Sequence, residues 1–582
     1  MTATDGATPH VGREPDGGRL GPAEHAAAWS ALDGGSLDIL VIGGGVTGAG
    51  AALDAASRGL RTALVEARDF GSGTSSRSSK LFHGGLRYLE QMEFSLVREA
   101  LHERELMLSR IAPHLVEPVS FLYPLTHRGW ERPYIGAGLI LYDVLAGRSA
   151  MPRHRHLTRS AVSRIAPSLK ASAYVGGIRY HDVQTDDARH TLTVVRTAAA
   201  HGAIVRNSTE VVELIRDRER VVGAVLRDSD TGARCEVHAR VVLNCTGVWS
   251  DGITGLADAP AGFRVRASKG VHIVVPGDRI DSDTGMILRT KKSVLFVIPW
   301  LGQWLVGTTD TDWHLDLAHP AATARDIDYV LDTVNEVLAQ PLSRADIVGV
   351  FAGLRPLLSA GESGGDTAAL SREHAVSRSA AGLVSVAGGK YTTYRVMARD
   401  AVDACEPDLE RPLPVSRTQN IPLLGADGYH ELAAQPDDLA QRYRVTPDQV
   451  RHLLGRYGSM LTTVLSVGET DPSMLYPLPG APDHLRAEVR YAVTHEGALH
   501  LDDILGRRTR ISIGTRHRGT ETASAAAEIM APLLGWDRAG IDREVCAYTE
   551  RVDAELASQR ADDDDNAEAA RLSAPGFRRT MR

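Results

Sequence analysis

Cysteine is scarce in this chain: four in 582 residues, at positions 235, 245, 405 and 546, with no C-x-x-C pair. That scatter excludes a disulfide framework and a paired-cysteine zinc site, and it fits a reducing cytoplasm. No apolar run approaches the roughly 18 residues that a membrane-spanning helix needs. The protein is therefore expected to be soluble or bound at a membrane surface. Residues 1–35 carry acidic residues early and lack an apolar stretch of the signal-peptide kind, so they read as a flexible tail. A basic excess is missing too. The net charge is −8, which gives no nucleic-acid signature. Part of the acidic surplus sits in Asp562-Asp563-Asp564-Asp565, read as a solvated run in a disordered tail over 561–582.

What is present is organised. The length calls for about two to four domains. Residues 38–42 read as a buried strand, residues 49–58 as a small-residue helix and residues 62–66 as a second strand, a βαβ unit. Between strand and helix lies Gly43-Gly44-Gly45-Val46-Thr47-Gly48, which fits G-x-G-x-x-G. Gly43 serves the tight turn, Gly45 the approach of backbone to a pyrophosphate and Gly48 the close packing of helix on strand. Anionic groups are favoured at the helix N-terminus that follows. Glu66 ends the second strand, where an acid bonds a ribose hydroxyl and repels the extra phosphate of NADP. The motif does not separate NAD from FAD. Glycine-bearing loops recur as far as residue 390, however, and a cofactor contacted from both ends of so long a region is more naturally FAD.

Residues 71–90 concentrate hydroxyls, Lys80, His83, Arg87 and a glycine pair. That mixture suits a loop that holds phosphates and a flavin beside an anionic substrate. Thr74, Ser75, Ser79 and Lys80, with Leu81, are expected to line the cofactor. His83 is the most natural titratable base of the stretch, since its ordinary pKa lies near neutrality, and its other reading is a group that orients the flavin. Farther on, strand patterns at 205, 211–215, 221–227, 241–244, 293–299 and 304–307 alternate with glycine loops. Candidate strands at 347–351 and 383–386 lead into loops carrying Arg355 and Lys390. The fold expected is α/β. A Rossmann-like FAD-binding domain is interleaved with a β-rich substrate domain over residues 36–405, a proline-rich linker follows at 406–425, and a helical C-terminal domain covers 426–560. Residues 130–145 pair aromatic and basic residues with a short apolar helix, which reads either as an interfacial anchor or as a buried core helix.

These residues are recognisable together. Residues 42–50, 74–89, 183–189, 306–310, 352–357, 388–395 and 496–505 resemble segments of the FAD-dependent, quinone-linked glycerol-3-phosphate dehydrogenases, in the D-amino-acid-oxidase-like flavoprotein class. The resemblance covers about residues 36–560. It implies oxidation of sn-glycerol 3-phosphate to dihydroxyacetone phosphate by hydride transfer to FAD, with electrons passed to a quinone by a peripheral membrane protein, often dimeric. By the same resemblance Arg87 and Tyr88 match phosphate-side positions and Arg355 a substrate-contacting arginine. Lys390 joins them as a phosphate cation, and Arg372 as a weaker substrate candidate. Gly247, Gly389, Lys390 and Thr392 complete the expected cofactor set. Asp310 either orients a base or caps a loop. No cysteine sits in the catalytic stretches, so FAD is expected to be non-covalent, and no metal is expected. The alternatives are an oxygen-using oxidase of the same fold, a flavin amine or amino-acid oxidase, and a non-catalytic flavin-binding regulator. The cations Arg87, Arg355 and Lys390 suit a phosphate better than an amino acid.

Overall fold

The computed structural model describes residues 17–574 apart from 91, 148, 150, 258–261, 291–293 and 360–372, and for residues 87 and 90 the backbone alone. Two sheets dominate. In the first, the strand Ser36–Ile42 runs parallel to both Arg234–Asn244 and Thr62–Val65, with Ile42 opposite Asn244 and Val65. Leu383–Gly388 and Ile204–Arg206 extend the parallel set on either side, and the hairpin Thr209–Asp217/Arg220–Asp228 is attached through Arg234–Asn244. Alternation in Ser36–Ile42 explains why both faces are covered. Ile39 and Val41 pack under the helices Val46–Ser57, Asp187–Ala200 and Tyr394–Asp403, whereas Leu40 and Ile42 pack against Val211, Leu226 and Val242. A parallel strand buried on both faces reads as a continuous apolar run, as this one does.

The second sheet has ten strands. Its longest pairing joins Arg264–Pro276 to Gly349–Ser359, antiparallel, with Ser268 opposite Arg355. The chain crosses between the sheets repeatedly: residues 81–185 belong to the second, 204–244 to the first, 264–359 to the second and 374–388 again to the first. From Tyr429 onward helices prevail around two further apolar clusters. They include Pro447–Tyr457, Thr520–Leu534 and Arg538–Ser558, and a short ribbon, Pro477–Leu478 with Ala481–Leu485, interrupts them.

Three expectations change. Residues 1–16 lie outside the described residues, but the tail does not extend to 35. Pro22–Leu32 is a helix, Leu32 is fully buried, and Leu20 N–H donates to His495 O at 3.1 Å. An Ala-rich segment with proline at its first position starts a helix readily, and Trp29 beneath the Arg206 guanidinium anchors this one. The acidic run near the C-terminus is not a disordered tail either. Asp563 caps the helix Asp564–Leu572, Asp564 pairs with the buried Lys269, and Ala567 is fully buried. Negative charge at a helix N-terminus is stabilising, and a buried ammonium needs counter-ions; residues 575–582 lie outside the described residues. Finally, the strand from Gly349 does not stop at 351 but runs through Arg355 to Ser359, because it stays paired along its length with Arg264–Pro276.

Buried and half-buried histidines make the fold acid-labile. Burial holds His114, His190 and His319 down at about 3 and His25 and His495 at about 4. Each is neutral when folded and takes a proton near pH 6.5 when unfolded, so the unfolded chain binds more protons below that pH. Stability is fully present above pH 6.5 and is lost as pH falls towards 4, by up to ~1.4 kcal/mol per pH unit for each group. Urea midpoints at pH 8, 7, 6 and 5 test this, with little change expected above 7 and a steep fall below 6. A flat profile to pH 5 contradicts it.

Candidate functional site

The sheets enclose a cavity of about 1200 Å³. Its floor is the start of the helix Val46–Ser57. A Cβ on Gly48 would stand 1.9 Å from Gly43 O, so only glycine lets this helix meet the strand so closely. Gly48 thus acts by packing and does not line the cavity, whereas Gly43 and Gly45 do. Ser75 Oγ accepts the Val46 N–H at 2.9 Å and ties the loop 74–80 to the helix N-terminus. Glu66 lines the cavity; its oxygens accept Gly44 N–H at 2.7 Å and Arg68 N–H at 2.9 Å, and burial raises its pKa against those two bonds. Cys245, Thr246 and Gly247, from the turn after Arg234–Asn244, lie on the same wall.

The loop after the fingerprint crosses to the second sheet. Thr74 Oγ1 donates to Leu354 O at 2.6 Å, which holds this loop against the strand that carries Arg355. A Cβ on Gly353 would come 2.4 Å from Arg77 O, which explains a glycine in the middle of a strand. Ser79 Oγ lies 2.9 Å from Nε2 of His272, a buried ring stacked on Phe351 and held well below its ordinary pKa by burial and by Arg355. Ser79 and Leu81 line the cavity, but Lys80 does not. Its ammonium is fully buried the other way, 2.8 Å from Asp187, and desolvation lowers it to about 8. The expectation that Lys80 faces the cofactor is therefore corrected: its backbone φ of 59° turns the side chain into the protein, where Asp187 pairs with it.

At the far end His83, Tyr88, Arg355, Gly389, Lys390 and Thr392 line the same cavity. His83 is fixed through its backbone, since its N–H donates to Thr392 Oγ1 at 3.2 Å and that hydroxyl lies 3.3 Å from His83 O. Lys390 Nζ sits 3.5 Å from the centre of the Tyr88 ring, a cation–π contact that aims the ammonium. Arg355 projects from the strand Gly349–Ser359 and donates to Thr308 Oγ1 at 3.1 Å and Thr309 O at 3.2 Å, with Asp310 at 3.5 Å. Asp310 in turn accepts from Ser268 Oγ. The backbone of Arg87 is in the short helix Arg87–Glu90, its side chain lies outside the description, and Arg372 lies outside the described residues.

Several residues here escaped sequence reasoning. His272 lies in an apolar strand pattern with nothing to mark it. Asp182 accepts from Tyr142 OH at 2.6 Å and Arg104 at 2.7 Å and lies 3.3 Å from Gly84 N, so it braces the glycine pair beside His83. The third is Arg510, in the helical C-terminal domain. It pairs with Asp187 and donates to Ser76 O at 2.9 Å, reaching the loop 74–80 from the helical part of the chain.

A long cofactor fits this shape. The cavity exceeds the ~300–1,000 Å³ of ordinary ligand pockets, and it runs from an anion-favouring helix N-terminus to a loop beside two cations. Residues 38–395 match the family model described as FAD dependent oxidoreductase, and residues 416–541 match the C-terminal domain of alpha-glycerophosphate oxidase. Glycerol-3-phosphate dehydrogenase 2 of Mycobacterium tuberculosis is 59% identical over 570 residues, 97% of each chain. The human mitochondrial glycerol-3-phosphate dehydrogenase is 36% identical, over 92% of this chain and 75% of its own. The solved structure of the Bacillus halodurans glycerol-3-phosphate dehydrogenase complexed with FAD superimposes with a TM-score of 0.76 at 29% identity, over 92% of this chain and 98% of that one.

Proposed function

Since the chain belongs to the FAD-dependent oxidoreductases and, within them, to the glycerol-3-phosphate dehydrogenases, we propose that it oxidises sn-glycerol 3-phosphate to dihydroxyacetone phosphate and passes the electrons to a membrane quinone. The observation that carries this reading is the single cavity with the glycine fingerprint at one end and Arg355, Lys390 and His83 at the other. FAD, when bound, supplies the acceptor for the hydride that leaves C2 of the alcohol. The protein supplies the rest. Gly43, Gly45, Glu66, Thr74, Ser75, Ser79, Leu81, Gly247, Gly389 and Thr392 hold the cofactor, with Gly48 behind them. Lys390, Arg355, Tyr88 and Arg87 hold the phosphate and the oxygens of the substrate, because a dianion needs an arginine fork and a point charge. His83 takes the hydroxyl proton, its backbone held by the Thr392 hydroxyl and its neighbour Gly84 by Tyr142 and Asp182. Anaerobic mixing of the purified holoprotein with glycerol 3-phosphate tests the reading: the flavin absorbance should bleach, and a flavin that stays oxidised sinks it.

The quinone acceptor and a peripheral membrane position draw support from the surface beside the cavity. Among the described residues no helix is long and apolar enough to cross a membrane. The helix Glu131–Ala146 is amphipathic in an unusual way: Ile135, Leu139 and Tyr142 are buried, yet Tyr134, Ile140 and Val144 are exposed. Trp130, whose ring lies 6.2 Å from that of Tyr134, and Met92 are exposed too, and Met92 and Tyr134 line the cavity as well. One face of this helix packs in the core, and the exposed apolar face is what supports a lipid interface. An Ile140→Asp/Val144→Asp variant should lose most co-sedimentation with phospholipid vesicles and turnover with a long-chain quinone, while keeping turnover with a soluble dye. Equal sedimentation of variant and parent refutes the assignment.

A further inference from the structure

We propose that the helical C-terminal domain carries a divalent-metal site of the zinc type, built from His452, His484 and Glu488. The three come from separate elements: the helix Pro447–Tyr457, the strand Ala481–Leu485 and the helix Arg486–His495. Their ligand atoms all lie within 4.8 Å of one another. Nε2 of His452 is 3.4 Å from Oε2 of Glu488, and Nδ1 of His484 is 3.4 Å from its Oε1. Ligands held about 2.0–2.1 Å from a tetrahedral zinc ion stand roughly 3.3 Å apart. Each imidazole therefore already stands at that spacing from one oxygen of the carboxylate, and the three ligand atoms stay within 4.8 Å of one another.

The donor set selects the ion. Two imidazoles with one carboxylate suit Zn²⁺, whereas Mg²⁺ and Ca²⁺ want shells of oxygen. The carboxylate is oriented from behind, as metal ligands are. Leu485 N–H donates to Oε1 at 2.9 Å and Tyr457 OH to Oε2 at 3.0 Å. Glu488 is fully buried, while both histidines reach partly to the surface and give an ion a way in. Arg456 is a like charge nearby, its Nε 3.9 Å from Oε2, but its guanidinium is drawn off by Asp186 at 3.2 Å and by Arg508 O. A bound ion would tie the helix that carries Arg456 to the strand and helix beside it, so the role is structural. It is independent of the flavin chemistry.

The test uses the full-length holoprotein, stripped with a chelator, dialysed and titrated with ZnCl₂. Metal content, a competing zinc dye and the melting temperature are read together. About one zinc per chain and a raised melting temperature are expected. The double variant His452→Asn/His484→Gln should lose this binding with flavin content unchanged. Tyr457→Phe, which removes only the hydroxyl behind Glu488, should weaken binding by about 10-fold. No zinc above background, or zinc held as tightly by the double variant, overturns the proposal, as does an equal preference for Mg²⁺.

Discussion

Arg355→Ala lowers kcat/KM for glycerol 3-phosphate by about 10²–10³-fold, the range found when one preorganised donor to a developing charge is removed. The reasons lie in what holds this side chain. Its guanidinium is gripped by Thr308 Oγ1 and Thr309 O on one edge and by Asp310 and Ser268 on the other, so it is positioned before any substrate arrives. These partners all belong to the second sheet or its connections, and none belongs to the fingerprint. Flavin content should therefore stay near that of the parent, which separates this effect from loss of cofactor. Removing Arg355 also leaves Asp310 without the guanidinium, but Ser268 Oγ still donates to it. Arg355→Lys keeps the charge and loses the fork, and it should recover only part of the rate. A fall confined to KM assigns Arg355 to ground-state phosphate binding, whereas a fall in kcat assigns it to the reacting oxygen. Steady-state kinetics with matched flavin content decide, and near-parental kcat/KM in Arg355→Ala removes the residue from the site.

Local pattern carried much of this protein's organisation. The βαβ unit was legible because its strand alternation, its glycines and the acid at its end all act within about thirty residues, the span of one supersecondary unit. Interleaving of two sheets could be inferred from strands that recur after each glycine loop. What escaped was set by distant partners. Lys80 looks like every other residue of a polar loop until Asp187, far along the chain, pulls it inward. Asp562–Asp565 looks solvated until Lys269 is seen buried beneath it. His272 occupies an apolar strand position, and only the fold brings Ser79 to its ring. A buried charge is invisible to periodicity, since its counter-ion carries no sequence signal of its own.

Arg510 is the largest such case, and its removal should cost the protein its flavin. Asp187 is fully buried and receives Ser78 N–H at 2.8 Å, Ser78 Oγ at 2.7 Å, the Lys80 ammonium at 2.8 Å and the Arg510 guanidinium. Arg510 also donates to Ser76 O at 2.9 Å and to Asp186 at 3.1 Å. One arginine of the helical domain thus fixes the loop 76–80, and Ser79 within it and Thr74 and Ser75 beside it line the cavity. Arg507 and Arg508 repeat the device one turn away on Asp69, just before that loop. Breaking a buried pair from one side costs about 3–5 kcal/mol, because the remaining charge stays desolvated. In Arg510→Ala the Lys80–Asp187 pair remains, but Asp187, Asp186 and Ser76 O each lose a donor, so the penalty falls on the loop 76–80 rather than on either sheet. Protein purified from this variant should show a lowered ratio of flavin to protein absorbance and an earlier melt, both partly restored by added FAD. Arg510→Lys should be intermediate, since an ammonium can meet Asp187 or Ser76 O but not both along a fork. An isolated chain ending near residue 425 should fail to retain FAD for the same reason, although every fingerprint residue is present. Flavin content and melting temperature equal to the parent in Arg510→Ala would show that the loop holds its shape without the helical domain.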